Sequence, residues 1–268
     1  MPVKPPPADP FFVEAAGHRL RAQWIGAPDA TTEGTLVFLH EGLGSIPQWK
    51  GFPDAVCRAS GRRGLVYERW GFGGSDRLVL PRPLNYMSIE AEEGLPEVLD
   101  ICGIARPILI GHSDGASIAL LFAAAFPERA AACISMAAHV FVEDITLAGI
   151  RGVVVRWESG DLRDRLVRYH GDNTDTVFRG WAETWLRPGF RDWIMADRLP
   201  RVICPVLVMQ GEDDEHGSAS QVEAIAGGVS GPVEAVLIPN CGHSPHLQAR
   251  EAVLSRITAF LAVAGHLS

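Results

Sequence analysis

The sequence predicts an α/β protein: a mostly parallel sheet with helices on both faces, interrupted once by a helical insertion. Short runs of β-branched and aliphatic residues alternate with helical segments along most of the chain, the pattern of strands buried on both sides. That alternation stops over residues 143–199, where helical segments rich in Trp and Arg take over. Between Pro107 and the helical stretch 116–125, Ile108-Leu109-Ile110 runs into Gly111-His112-Ser113-Asp114-Gly115. This is the strand–turn–helix setting that a G-x-S-x-G nucleophile motif requires.

Taken in order, residues 11–25 read as two strands of a hairpin around Ala16-Gly17-His18. Residues 35–40 form a buried strand, followed by a flexible turn over Glu41-Gly42-Leu43-Gly44-Ser45 and an amphipathic helix over 48–59. A strand over 64–68 leads into Arg69-Trp70-Gly71-Phe72-Gly73-Gly74-Ser75-Asp76. Ser88 is the expected N-cap of a helix to about residue 102, with Glu90, Glu92 and Glu93 near its positive end. After the Ser113 turn come a strand near 132–136, the insertion, a strand over 206–209, a helix over 220–227, a strand over 233–238 and a last helix from about 247 to 264. The expected division is a core of residues 1–142 and 200–268 with a helical cap over 143–199.

Composition narrows the function. The chain has 268 residues, 47% of them hydrophobic, enough for one large core. A net charge of -8 without any basic block disfavours nucleic acid and acidic membranes as partners. No apolar run is long enough to span a bilayer, and the proline-rich start reads as a stiff exposed leader without a signal peptide's apolar core. Five scattered cysteines, without C-x-x-C spacing, suit buried thiols in a reducing compartment. The expectation is a cytoplasmic protein with a small-molecule substrate and no cofactor or metal; a homodimer stays open.

A serine hydroxyl needs a base, a group to orient that base, and donors for the oxyanion. Gly111 and Gly115 must be small for so tight a turn, leaving Ser113 on a strained corner above the start of a helix. The acid belongs in the loop after a late strand, where Asp213 and Asp214 compete; Asp214, three residues beyond Gly211, has the usual spacing. The base belongs after the last strand, where Gly242 lets the loop turn and His243 follows. His246 is its rival; the H-x-x-H spacing hints at a metal, but no third ligand stands nearby in sequence. His112 should point away from Ser113, while His18, His170 and His266 read as surface residues.

One oxyanion donor is the backbone N–H of Asp114; the other comes from Gly42 or Leu43, with Leu43 favoured. Glu41 is awkward there, because a carboxylate facing the oxyanion would oppose it, so it is expected to turn outward or pair with an Arg. His139, at the start of the insertion, and Trp157 and Trp185 within it are candidates for lining a substrate pocket.

Together these residues resemble the α/β-hydrolase superfamily, on His40-Glu41-Gly42-Leu43-Gly44, the 71–76 loop, Gly111-His112-Ser113-Asp114-Gly115, Gly211-Glu212-Asp213-Asp214 and Gly242-His243. The resemblance implies the α/β-hydrolase fold with a mostly parallel eight-stranded sheet, a Ser113–Asp214–His243 triad and a cap over the site. Glu41 departs from the His-Gly pattern common at that point. Haloalkane dehalogenases and epoxide hydrolases resemble this chain but need an aspartate nucleophile, so Ser113 argues against both. Esterases, lactonases, amidases, perhydrolases and C–C bond hydrolases all keep the serine. The expected activity is hydrolysis of a small carboxylic ester through an acyl-enzyme. The alternatives are C–C, lactone or amide hydrolysis on the same residues, or a non-catalytic ligand-binding role.

Overall fold

A computed structural model describes residues 9–26 and 34–264. The leader, residues 27–33 and His266 lie outside the described residues. Strands β1 (Phe11–Ala15), β2 (His18–Ile25), β3 (Leu36–Leu39), β4 (Gly64–Tyr67), β5 (Ile108–His112), β6 (Ala132–Met136), β7 (Val206–Gly211) and β8 (Val233–Ile238) form one sheet in the order β1-β2-β4-β3-β5-β6-β7-β8. β1 pairs antiparallel with β2, and β2 with β4; every other neighbour is parallel. Strands β3 to β7 are buried at every residue, which explains their unbroken apolar runs. β8 sits at the edge and alternates instead.

Helices α1 (Phe52–Ser60), α2 (Tyr86–Ile89), α3 (Leu95–Ile101), α4 (Asp114–Ala125), α5 (Asp144–Glu158), α6 (Asp161–His170), α7 (Thr174–Trp185), α8 (Ala219–Gly228), α9 (Pro245–Gln248) and α10 (Arg250–Ala264) complete the fold. Phe52 and Val56 of α1 join Val253 and Ile257 of α10 on one face, against Phe38, Ile110, Ile134 and Leu207. The other face packs Val37, Leu39, Leu109 and Val208 against α3, α4 and α8, and this core continues into α5, α6 and α7 through Val153, Leu166, Phe178, Trp181 and Trp185. α4 is buried on all sides from Asp114 to Ala124, so it has no polar face to show. No helix among the described residues is long and apolar enough to cross a membrane, and none of the five cysteines forms a disulfide.

Three helix boundaries differ from expectation. The helix assigned to a Ser88 cap begins at Tyr86, with Asn85 at the cap position and Ser88 inside the first turns. Burial of Tyr86 and Met87 pulls the start forward, so packing overrides the capping preference. The expected 48–59 helix is split: a 3-10 turn over Ile46–Trp49 ends at Lys50 and Gly51, both at positive φ, before α1 starts. The last helix breaks at Ala249.

Candidate active site

β5 delivers Ser113 onto a corner with φ 53° and ψ -122°, a conformation a side chain adopts only at a cost of about 1–3 kcal/mol. The corner exists because of its glycines. A Cβ on Gly111 would run into the backbone of Gly115 and Ala116, and one on Gly115 into the carbonyl of Leu39. α4 begins at the next residue, placing its positive end under the serine.

The loops after β7 and β8 run together, Asp213 N–H donating to the Cys241 carbonyl at 2.9 Å and Glu212 N–H to that of Ile238 at 2.9 Å. This brings the remaining pieces to Ser113. His243 Nε2 lies 2.9 Å from Ser113 Oγ, and His243 Nδ1 lies 2.8 Å and 3.0 Å from the two carboxylate oxygens of Asp214. Asp214 is buried, whereas Asp213 is exposed. The His216 backbone N–H also donates to Asp214 Oδ1, at 2.8 Å. Burial pushes the Asp214 carboxyl above its usual range, with that amide opposing. Burial, with His139 and His246 nearby, pulls His243 below the ordinary imidazole value, so the resting ring is neutral and able to accept the serine proton.

His112 turns beneath the site and holds the His243 carbonyl at 2.7 Å. His246 is buried against His112, Trp49 and Phe52, at ring distances of 4.6 Å, 5.0 Å and 5.5 Å, so its ring belongs to the packing under the loop.

The Glu41 expectation fails. The side chain is half-buried and forms no ion pair among the described residues; its carboxyl folds over Gly44, where a Cβ would collide with Oε2. The candidate partner, buried Arg69, instead uses Nη2 on the backbone carbonyls of His40 at 3.0 Å and Glu41 at 2.9 Å. Burial therefore raises the Glu41 carboxyl to about 7, against the attraction of Arg69. Glu41 borders both the main cavity beside Ser113 and a smaller one of about 30 Å³ on the His112 and His246 side.

Asp114 is 1% exposed. Its Oδ2 accepts from Tyr86 Oη at 2.6 Å, and Tyr86 Oη in turn accepts from Trp185 Nε1 at 3.0 Å. The Arg82 guanidinium covers the Tyr86 ring at 4.1 Å. The carboxylate next to the nucleophile is thus hydrogen-bonded to a phenol from α2.

The main cavity, about 160 Å³, has Ser113, Asp114, His243, Glu41, Gly42 and Leu43 on the sheet side. Thr146, Ile150, Val153 and Arg156 of α5, Leu162 of α6, and Trp181 and Trp185 of α7 line it opposite, with His139 and His216 between. His139 and Trp185 are both in this lining, their rings 5.1 Å apart. Trp157 does not line the cavity. It lies one turn beyond Val153 and stacks flat on Phe178 at 3.9 Å, inside the packing between α5 and α7.

Two further expectations are corrected. His170 is 4% exposed: its Nδ1 accepts the Gly73 N–H at 3.0 Å and its Nε2 donates to the Leu43 carbonyl at 2.9 Å. It joins the end of α6 to two loops, which a surface residue would not do. His18 is half-buried and stacked on Trp70 at 3.9 Å.

Sequence reasoning missed Trp181, Tyr86, Arg69 and His216. Only Trp181 left a signal, four residues before Trp185 and so on the same helix face. Its indole lies so close to Gly42 that a Cβ there would strike it.

The fold and this arrangement define an α/β hydrolase. The chain belongs to the alpha/beta hydrolase family, whose model matches residues 36–256. Carboxylesterase YbfK of Bacillus subtilis (strain 168) is 25% identical over 268 aligned residues, covering 95% of this chain and 88% of its own length. The 2-hydroxy-6-oxo-6-phenylhexa-2,4-dienoate hydrolase of Burkholderia cepacia is 24% identical, covering 87% and 90%. The solved structure of a proline iminopeptidase from Mycobacterium smegmatis matches with a TM-score of 0.74 at 21% identity, over 96% of this chain and 98% of that one.

Proposed function

We propose that this chain is a serine hydrolase of small carboxylic esters, with Ser113 as nucleophile, His243 as base and Asp214 as the group that orients it. The observation that carries the reading is the hydrogen-bonded chain from Asp214 through His243 to the Ser113 hydroxyl, with Ser113 and His243 in the lining of the main cavity.

His243 Nε2 takes the Ser113 proton as Oγ attacks the ester carbonyl. The backbone N–H of Asp114 and one from Gly42 or Leu43 hold the oxyanion, aided by the positive end of α4. His243 passes its proton to the departing alcohol, leaving an acyl-enzyme, then removes a proton from water to release the acid. Asp214 keeps Nδ1 protonated and stabilises the imidazolium. Helices α5, α6 and α7 act as the cap. A cavity of about 160 Å³ walled by Ile150, Val153, Trp181 and Trp185 suits a small apolar acyl group, since about 150 Å³ of apolar space takes a benzene-sized molecule.

The name of the 24%-identical relative favours a second reading, hydrolysis of a carbon–carbon bond in a dicarbonyl compound on the same residues. Turnover of p-nitrophenyl acetate and butyrate, measured beside ring-cleavage diketones and lactones, separates the two. Short esters are the expected substrates, and diketone turnover without ester turnover reverses the order. Labelling by a fluorophosphonate probe is expected in the wild type and absent in Ser113→Ala. Labelling that persists in the variant means another serine is the nucleophile.

A further inference from the structure

We propose that His216 is a specificity-determining residue on the leaving-group side of the site, whose imidazole hydrogen-bonds a polar group carried by the substrate's alcohol portion. The inference rests on the ester reading above and adds a substrate class to it: esters with an apolar acyl group and a hydroxyl or ether oxygen on the alcohol.

Geometry places His216 there. Its backbone is fixed at both ends, the N–H donating to Asp214 Oδ1 at 2.8 Å and the carbonyl facing His139 Nε2 at 3.0 Å. Its ring lies 4.6 Å from the His243 ring, borders the cavity, and has no hydrogen-bond partner on either nitrogen among the described residues. Room for this segment comes from α5: a Cβ on Gly149 would stand 2.5 Å from the Glu215 carbonyl oxygen and 2.7 Å from His216 Nδ1, so the close approach requires glycine. Burial and the neighbouring His243 pull its pKa down to about 4, so at neutral pH the ring is uncharged and offers one N–H and one lone pair.

The two sides of the cavity differ in kind. The oxyanion loop faces Trp181, packed on Gly42, and Trp185, tied through Tyr86 to Asp114. His243, which hands its proton to the leaving oxygen, has the free imidazole of His216 beside it, the two rings 4.6 Å apart. A bound substrate that covers this half-buried ring without pairing it leaves a polar group unsatisfied, which is costly, so an alcohol that satisfies it is favoured.

The test compares propyl and 2-hydroxyethyl butyrate, which share an acyl group and differ at one atom of the alcohol. The wild type should prefer the hydroxyethyl ester by about tenfold in kcat/KM, the worth of one neutral hydrogen bond. His216→Phe should level the two, and His216→Gln, which keeps a donor and an acceptor, should restore part of the preference. Both esters form the same butyryl-enzyme, so the ratio of their kcat/KM values reads the alcohol alone, and a loss shared by both leaves that ratio unchanged. Equal loss on both esters shows a merely structural role and overturns the inference. Wild-type turnover without preference overturns it alone; no turnover of any ester removes the ester reading and this inference with it.

Discussion

The turn around Ser113 and the helical segment between β6 and β7 build opposite walls of one cavity by different means. At the turn, backbone does the shaping: Gly111 is required by the main chain of Gly115 and Ala116, Gly115 by the carbonyl of Leu39, and Ser113 is forced to positive φ. In the helices, side chains do it, and each one's role depends on what lies across the cavity. Trp157 and Trp181 belong to the same aromatic cluster around Phe178, yet only Trp181 borders the cavity. Geometry made by backbone demands glycine at fixed places and so leaves a sequence motif; geometry made by side chains accepts many residue types and leaves almost none.

The largest effect that would sharpen this contrast is expected on the sheet side. Asp214→Asn should lower kcat by about 10⁴-fold, because the amide cannot hold the Nδ1–H tautomer. Asp213→Asn, one residue away and exposed, should change kcat by less than about twofold. Steady-state rates on p-nitrophenyl butyrate check both, and equal losses would mean that the loop rather than the carboxylate matters.

That pair also shows how far the sequence could be read. Strand runs, the G-x-S-x-G turn, the spacing from Gly211 to Asp214 and the Gly242-His243 pair are all local patterns. The structure brings those three side chains into hydrogen-bond contact. What stayed hidden depends on partners distant in the chain. His170 read as a surface residue because nothing near it in sequence announces Gly73 and Leu43. Tyr86 gave no sign of reaching Asp114, 28 positions on. Trp157 misled because α5 carries its cavity-facing stripe only as far as Val153 and Arg156.

A smaller effect is expected across the cavity. Trp181→Ala should raise KM for butyrate esters about tenfold or more, as expected for losing a large apolar contact. Trp157→Ala should leave KM within about threefold and instead lower the melting temperature, by the equivalent of about 1–3 kcal/mol. Should Trp157→Ala raise KM as much as Trp181→Ala, the two tryptophans would be parts of one wall and the distinction between them would fall.

The mildest effect concerns Glu41, where the two regions meet at the oxyanion loop. Its carboxyl is raised to about 7 by burial, so it is neutral in mildly acidic solution and becomes a carboxylate as pH rises through about 7. A negative charge beside the loop that holds the oxyanion opposes the transition state, so kcat/KM should fall on the alkaline side. His243 supplies the acid limb: lowered from its ordinary value, it loses its proton below about 6.5, and activity appears as pH rises through that lowered value. The wild-type profile is therefore a bell, and at pH 8 about a tenth of the molecules keep Glu41 protonated, a roughly tenfold loss if only those are active. Glu41→Gln should keep the acid limb and flatten the alkaline one. Stability gives a second readout with its own sign. The folded state holds the Glu41 proton more tightly than the unfolded chain, so this carboxyl erodes stability as pH rises from the ordinary carboxyl range to about 7. Glu41→Gln lacks that erosion and should melt higher relative to the wild type at pH 8 than at pH 5. An alkaline limb that survives the substitution would assign it to another group and leave Glu41 a packing residue over Gly44.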